Sequence, residues 1–319
     1  MITPLDDQHG TLVPPSDRVW EGDRVTVTRN NPRRIEADRL LEKAIEQHQI
    51  RELRDALQTF EEALSIYREV QDYQGEAKAL SGMGLVLYAM GSYGDAIAYS
   101  FQCLSLTRQT MDRRTERQAL SNLGNAYRHL GDHAKAIEYK QQSLKVSREI
   151  CDRRGEMAAL NNLGMAYKAM GDCLSAITCY EESLAIAREL RDYQVEGQVL
   201  RNLGNAHHAL ANYARTIDCY EQLLAIAREL PDRQVEIQIL KNLASACYTM
   251  GAFEQAIAYH QQRLELAHTL RDYRNAEQAL ESLGVIYDTL GNYEKVIFYY
   301  ENVWRWRGKS RTVSWNNRF

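Results

Sequence analysis

The sequence predicts an all-α solenoid, in which pairs of helices stack one after another along most of the chain. Leucines recur every forty residues without a slip, at Leu80, Leu120, Leu160, Leu200, Leu240 and Leu280. A period of about 20–50 residues is typical of arrays whose units bury their apolar faces against their neighbours. The 319 residues also include only five prolines, and they are rich in Ala, Leu, Glu and Gln, which favour helix.

Each forty-residue unit is predicted to contain two helices. Apolar Leu120, Leu123 and Tyr127 lie at helical spacing and predict a first helix from about Glu116 to His129. Gly131 and Asp132 follow, and they predict a break, because Gly accepts the left-handed conformation and Asp caps a new helix. The second helix then extends to about residue 150, and residues 151–155 form the loop that precedes the next unit.

Glycines in the middle of the first helix indicate how the two helices pack. They recur at Gly84, Gly124, Gly164, Gly204 and Gly284. Glycine inside a helix costs about 1 kcal/mol relative to alanine, so we expect another helix to cross there too closely for a side chain. The column of small residues that includes Ala136 fits the partner surface, with small residues facing small residues.

The pattern Leu-x-x-Leu-Gly-x-x-Tyr, followed by Gly-x-x-x-x-Ala, runs from Leu120 to Ala136 and resembles the tetratricopeptide repeat, with Leu in place of the leading Trp. The resemblance covers residues 36–307, about seven copies with the last one truncated. The forty-residue period is similar to the longer repeats of Pins/LGN adaptors and kinesin light chains. The resemblance implies a right-handed α–α superhelical solenoid whose concave surface binds peptides.

A polar stripe on the first helices is the predicted peptide-binding surface. It lies opposite the apolar stripe on the helical wheel, and the resemblance implies that it lines the concave side. The predicted contacts are Asn122, Asn125, Arg128, Asn162, Lys168, Arg201, Asn202, Asn205, Lys241 and Asn242. An Asn amide donates and accepts hydrogen bonds, which suits it to hold the main chain of an extended peptide. The alternative is that Asn122, Asn162, Asn202 and Asn242 bond to the neighbouring repeat and fix the stack.

The charges of this stripe indicate the class of partner. Its charged residues are mostly basic, which favours an acidic segment or a free C-terminal carboxylate. The whole chain carries a net charge of −4, so we expect no nucleic acid partner. The sequence therefore predicts a non-catalytic protein–protein interaction scaffold, and it leaves the oligomeric state open.

Other recurring columns contain residue types that are common in metal and catalytic sites, but they have a structural interpretation. Aspartates recur every forty residues from Asp72 to Asp272, each followed four residues later by a glutamate in most copies, and arginines such as Arg148 precede them. Negative charge at these positions is expected to cap the next helix and to favour its dipole. His129 and His133 are separated by a helix break, and the sequence contains no phosphate-binding loop or hydrolase motif. We therefore expect no metal site, no cofactor and no enzymatic activity.

The sequence also predicts a cytoplasmic protein. It contains no apolar run long enough for a transmembrane helix or a secretory signal. The six cysteines show no CxxC spacing, which favours free thiols over a disulfide framework.

The two ends differ from the array. Residues 1–35 hold four of the five prolines and predict a mobile arm, and residues 308–319 form a basic, aromatic tail that is expected to cap the array. Trp304 falls in the column of Leu104, Leu144 and Leu184, so we expect it to close the last helix pair. Two alternatives remain. The tail would bind a membrane or nucleic acid, or the array would be a regulator that changes its superhelical pitch when it binds a peptide.

Overall fold

The computed structural model describes residues 31–229 and 233–316, with side chains as far as residue 304. The described residues form fourteen helices and no strand. The helices are α1 (Pro32–Gln49), α2 (Leu53–Glu69), α3 (Tyr73–Ala89), α4 (Tyr93–Thr110), α5 (Arg113–His129), α6 (His133–Glu149), α7 (Arg153–Ala169), α8 (Cys173–Glu189), α9 (Tyr193–Ala209), α10 (Tyr213–Arg228), α11 (Arg233–Met250), α12 (Phe253–Thr269), α13 (Tyr273–Thr289) and α14 (Tyr293–Asn316). They make seven helix pairs, which confirms the predicted all-α solenoid of about seven repeats.

The first helices of the pairs form the inner layer of the array. Every helix packs against the next one along the chain, and α1, α3, α5, α7 and α9 also contact each other in succession. The backbones of the second helices lie further from each other in the described part of the chain, and long side chains such as Arg148 of α6 and Glu182 of α8 bridge the gap. A stack whose first helices approach more closely than its second helices curves toward the first helices, which places them on the concave side.

The predicted helix caps are present. Asp112 Oδ1 accepts a hydrogen bond from the Thr115 backbone N–H at 3.1 Å, and Asp152 Oδ1 accepts one from the Gly155 N–H at 2.8 Å. Asp72, Asp192 and Asp272 do the same at their helices, whereas Asp232 lies outside the described residues. Between the helices of a pair, Gly131 adopts a φ of 81°, which glycine accepts without a steric penalty.

A ladder of charged side chains joins successive pairs on the outer side. Arg148, at the end of α6, donates from Nε to Glu156 Oε1 of α7 at 2.8 Å and from Nη2 to Glu182 Oε2 of α8 at 2.8 Å. The equivalent pairs are Arg68–Glu76, Arg108–Glu116, Arg188–Glu196 and Arg228–Glu236. The structural interpretation of these columns is therefore confirmed, although the glutamates act by pairing with arginine as well as by their position at a helix start.

The prediction that small residues face small residues at the mid-helix glycines is wrong at most positions. A Cβ on Gly164 would lie 2.6 Å from the Tyr180 ring, and one on Gly124 would lie 2.7 Å from the Lys140 side chain. The glycine column therefore makes room for a large side chain of the second helix, which lies one turn after the small column of Ala136. Ala136 itself is fully buried.

Both ends of the array differ in detail from the sequence prediction. The first helix begins at Pro32, with Asn31 as its cap, so residues 32–35 belong to α1 and not to the arm. Helix α14 continues past Arg307 to Asn316. Trp304 is 73% exposed, so the expectation that it closes the last pair is wrong, whereas Leu104, Leu144 and Leu184 of the same column are buried. The predicted arm over residues 1–30 and capping by the tail side chains lie outside the described part of the chain.

Candidate peptide-binding groove

The predicted groove residues lie on the inner layer formed by the first helices. Asn122 is buried, and Asn125, Arg128, Asn162, Lys168, Asn202, Asn205 and Asn242 are half-buried, whereas Arg201 and Lys241 are exposed. They come from four consecutive inner helices, α5, α7, α9 and α11. The helical period therefore places them along one face of the array, as expected.

The floor beneath this stripe is made by a column of second-helix residues that the sequence reasoning missed. It consists of Ser100, Lys140, Tyr180, Tyr220, His260 and Tyr300. The members from Ser100 to His260 are buried, and most occupy the space that the mid-helix glycines leave open. The signal was available, because each member lies twenty residues after a leucine of the forty-residue series.

Two floor residues fix the orientation of the asparagines above them. Lys140 Nζ donates to Asn125 Oδ1 at 2.6 Å, and Tyr220 Oη donates to Asn205 Oδ1 at 2.6 Å. In both cases the amide oxygen accepts from the protein itself. The Nδ2 group of each amide is therefore the part that remains to donate to a guest molecule.

Two other asparagines bond to the preceding repeat. Asn122 Nδ2 donates to the Ser81 carbonyl oxygen at 3.2 Å, and Asn202 Nδ2 donates to Asn161 Oδ1 at 3.0 Å. A hydrogen bond between repeats holds their relative position, which is the structural alternative raised for this column. Asn162, by contrast, has no side-chain hydrogen bond to the described protein and lies half-buried on the same stripe.

The remaining predicted residues include two that contact other described side chains. Arg128 Nη2 lies 3.0 Å from His129 Nε2, and His129 stacks on the Tyr93 ring with the centroids 5.0 Å apart. Asn242 Oδ1 accepts from Gln238 Nε2 of its own helix at 3.2 Å. Lys168 and Arg201 lie further along the inner layer, so the structure distributes the cations along the groove and does not gather them into one cluster.

Burial gives the groove floor unusual electrostatics. Lys140 is fully buried, and its Nζ also donates to the Ser121 carbonyl oxygen at 2.9 Å. Burial, with a smaller contribution from the charge of Arg128, lowers the pKa of Lys140 to about 7. Removing an ammonium group from water disfavours its charged form, so this lysine titrates close to neutral pH.

Two cavities open along the inner surface, one toward each end of the array. The first, of about 410 Å³, has an apolar base that includes Leu41, Ile45 and Phe60, with Asn122 at its edge. The second, of about 430 Å³, lies between α11, α12 and α13 and includes Lys241. Of the predicted peptide-binding residues, only Asn122 and Lys241 line these two cavities.

The described residues also bear on the kind of site. They contain no group of three or more His, Cys, Asp or Glu side chains placed to hold a metal ion. Within the same residues, no helix combines the length and the apolar character needed to cross a membrane. All six cysteines carry free thiols.

Comparison with solved structures gives the same architecture. The apo form of RapI is 16% identical, with a TM-score of 0.61, over 87% of this chain and 99% of its own. A Rap protein complexed with competence and sporulation factor is 18% identical, with a TM-score of 0.57, over 86% and 76%. A signal transduction ATPase with a tetratricopeptide repeat sensor from Pyrococcus horikoshii is 19% identical, with a TM-score of 0.63, over 86% and 41%. At this level of identity, the likeness shows the fold alone. No curated protein sequence is significantly similar to this chain.

Family models identify the repeats themselves. A model of anaphase-promoting complex subunit 5 matches residues 23–87, which is a small part of the chain. One tetratricopeptide-repeat model matches residues 115–189 and 196–269, and a second matches residues 277–308. Together these two cover more than half of the sequence, in register with the helix pairs of the structure, and the chain therefore belongs to the tetratricopeptide-repeat family.

Proposed function

We propose that this protein is a non-catalytic scaffold that binds an extended segment of a partner protein in the groove of its inner layer. Tetratricopeptide-repeat proteins are interaction scaffolds as a class, which supports the general role. The segment would lie along α5, α7, α9 and α11, where the predicted contact residues follow one another. Its main chain would be held by asparagine amides, and its side chains would be selected by the charged and apolar residues between them.

The observation that carries this proposal is the fixed orientation of Asn125 and Asn205. Each amide oxygen accepts a 2.6 Å bond from the floor, from Lys140 and Tyr220 respectively. Each Nδ2 group is thereby held as a donor before any guest arrives. Donors that are already positioned lose less conformational entropy on binding, which favours affinity.

The charges of the groove favour an acidic segment or a free C-terminal carboxylate as the guest. Arg128, Lys168, Arg201 and Lys241 line or flank the stripe, and a partly buried cation binds a carboxylate more strongly than a solvated one does. The free thiols and the absence of a membrane-spanning helix in the described residues are compatible with a cytoplasmic setting.

The test uses peptides selected from a random twelve-residue library on the intact protein. In Asn162→Ala, we expect the affinity for the selected peptides to fall by roughly tenfold, because one main-chain hydrogen bond or pair is lost. The melting temperature should not change, because the Asn162 side chain has no hydrogen bond to the described protein. Isothermal titration calorimetry and circular dichroism measure the two quantities.

Asn122→Ala is the matched control from the same column. Its amide bonds to the Ser81 carbonyl of the preceding repeat, so we expect a loss of stability of about 1 kcal/mol and a smaller effect on peptide affinity. Selected peptides that bind Asn162→Ala, Asn125→Ala and Asn205→Ala as tightly as the wild type would rule out the groove as the binding site.

A further inference from the structure

The cavity between α11, α12 and α13 contains a buried arginine that the rest of the array does not have. Arg263 of α12 is only 1% exposed, and it lines the cavity together with Lys241, His260, Gln278 and Glu281. The equivalent residues in the other six pairs are Ala63, Cys103, Ser143, Ser183, Leu223 and Val303. The sixth repeat therefore has a charge where its neighbours have a small or apolar side chain.

The repeat architecture does not require this arginine. Ser143 Oγ donates to the Arg117 carbonyl oxygen at 3.2 Å, and Ser183 Oγ donates to the Met157 carbonyl oxygen at 3.0 Å, so this position usually ties the second helix to the first helix of its own pair. Arg263 instead extends forward to the following repeat. Its Nη2 donates to Asn275 Oδ1 at 2.6 Å and to Gln278 Oε1 at 2.8 Å, both on α13.

The guanidinium of Arg263 has no direct hydrogen bond to a carboxylate among the described residues, and Asp272 is linked to it only through Asn275, whose Nδ2 donates to Asp272 Oδ2 at 2.7 Å. Both bonds of Nη2 end on neutral amide oxygens, and the buried Nε has no hydrogen-bond partner. Burial lowers the pKa of Arg263, an effect that Asp272 only partly offsets. An arginine nevertheless stays protonated in proteins. A buried cation without a paired anion is unfavourable, and an unpaired buried donor adds to that cost.

The other titratable groups at the cavity are His260, Lys241 and Glu281 among its lining residues, and Asp272 beside Arg263. His260 lies one turn before Arg263 on α12 and is buried, and its Nδ1 also has no hydrogen-bond partner. Burial, reinforced by the charge of Arg263, lowers the pKa of His260 to about 4, so the ring is neutral at physiological pH and offers a hydrogen bond without a charge. Lys241 and Arg263 then face the single carboxylate of Glu281 among the lining residues.

We propose that this cavity binds a carboxylate group of the guest segment, which would pair with Arg263 and hydrogen-bond to His260. A carboxylate matches the planar donors of a guanidinium, and it would supply a direct counter-charge to Arg263 and hydrogen-bond partners for Arg263 Nε and the His260 ring. This inference rests on the proposed peptide-binding function and adds a position to it: the acidic group of the guest lies at the end of the groove formed by α11, α12 and α13.

The test uses small probes that separate the two sources of a carboxylate. N-acetyl-glutamate amide has only a side-chain carboxylate, N-acetyl-alanine has only a terminal one, and N-acetyl-glutamine amide has neither. We expect at least one acid to shift the Arg263 Nε–Hε resonance in NMR spectra of the intact protein, in a saturable manner, whereas the glutamine amide leaves it unchanged. The signal is assigned from its loss in Arg263→Lys.

Peptide affinities provide the second measurement. In Arg263→Met, library-selected peptides should lose roughly tenfold in affinity, and this loss should disappear when the acidic group of the peptide is replaced by an amide. Lys145→Met is the control, because it removes a cation of α6 whose side chain is 78% exposed and that belongs neither to the predicted contacts nor to the groove floor. It should not reduce the preference for acidic over amidated peptides.

Three outcomes would overturn the inference. In the first, neither acid moves the Arg263 signal. In the second, inorganic phosphate binds the cavity more tightly than either acid. In the third, Arg263→Met keeps its preference for acidic peptides while Asn162→Ala loses peptide binding. This third outcome would contradict the carboxylate site but agree with the proposed function. If neither variant affects peptide binding, the proposed function fails as well.

Discussion

At the scale of the residue, side chains at equivalent positions of the forty-residue period make different contacts. Asn122 and Asn202 share one column and both bond to the preceding repeat, while Asn162, between them in the array, makes no such bond. In the floor column, Tyr220 and Lys140 each hold an asparagine, whereas His260 has an unpartnered nitrogen. The period therefore predicts where a side chain lies, but its neighbours determine what it binds.

Lys140 is expected to give the protein a measurable pH dependence. Its folded-state pKa of about 7 lies below that of an unfolded lysine, so the unfolded chain binds more protons above pH 7. The free energy of unfolding should then rise with pH, by up to about 1.4 kcal/mol per pH unit for one group. The measurement is urea denaturation of wild type and Lys140→Met between pH 7 and 9. The difference between their free energies of unfolding is then followed as a function of pH.

The control for this prediction is Lys145→Met on the same helix, because the Lys145 side chain is 78% exposed. This variant should follow the wild-type profile across the same range. An equal slope in Lys140→Met and wild type would contradict the buried, easily deprotonated state of Lys140.

At the scale of the element, a large side chain of the second helix fills the space beside a glycine of the first helix in most pairs. A Cβ added to Gly164 would lie 2.6 Å from the Tyr180 ring, and a Cβ added to Gly204 would lie 3.2 Å from the Tyr220 ring. Tyr180 is buried and cannot move aside without disturbing its neighbours. The distance between the helices of a pair therefore depends on these glycines.

Replacing the two glycines by alanine should give different results. Gly164→Ala should lower the stability by about 1–2 kcal/mol, because the cost of overpacking exceeds the gain in helix propensity. Gly204→Ala should change it little, because the contact is looser and the propensity gain offsets it. Urea midpoints of both variants test this, and equal midpoints would show that the tyrosines do not fix the helix distance.

At the scale of the whole molecule, the array is continuous across its repeats. One buried apolar cluster extends from Ala37 of α1 to Val146 of α6, a second from Leu144 of α6 to Ala187 of α8, and a third from Ala176 of α8 to Ile286 of α13. The Arg–Glu ladder joins the same pairs on the outer surface. Coupling between every pair of neighbours favours a rigid surface for a guest over one that changes its curvature.

We therefore expect peptide binding to leave the dimensions of the molecule unchanged. Small-angle X-ray scattering with and without a saturating library-selected peptide should give the same radius of gyration within error. A compaction or extension on binding would instead support the alternative raised from the sequence, a regulator that changes its superhelical pitch.

The sequence by itself determined the architecture of this protein. Leucine and glycine at a fixed spacing of forty residues predict paired helices and their stacking. The aspartates of the same period predict the helix caps, and its polar residues predict the stripe that contains Asn125 and Asn205. These features follow from helical period and local backbone preference, which depend on neighbours along the chain.

Only the tertiary structure decided which side chains meet. The space above Gly124 and Gly164 is filled from a different helix by Lys140 and Tyr180, and Arg263 turns away from its own pair to the next. Hydrogen bonds, burial and pKa shifts depend on atoms that are distant in the sequence. The period of the sequence therefore shows that Lys140 and His260 share a column, but only the packed helices show that this column forms the floor of a groove.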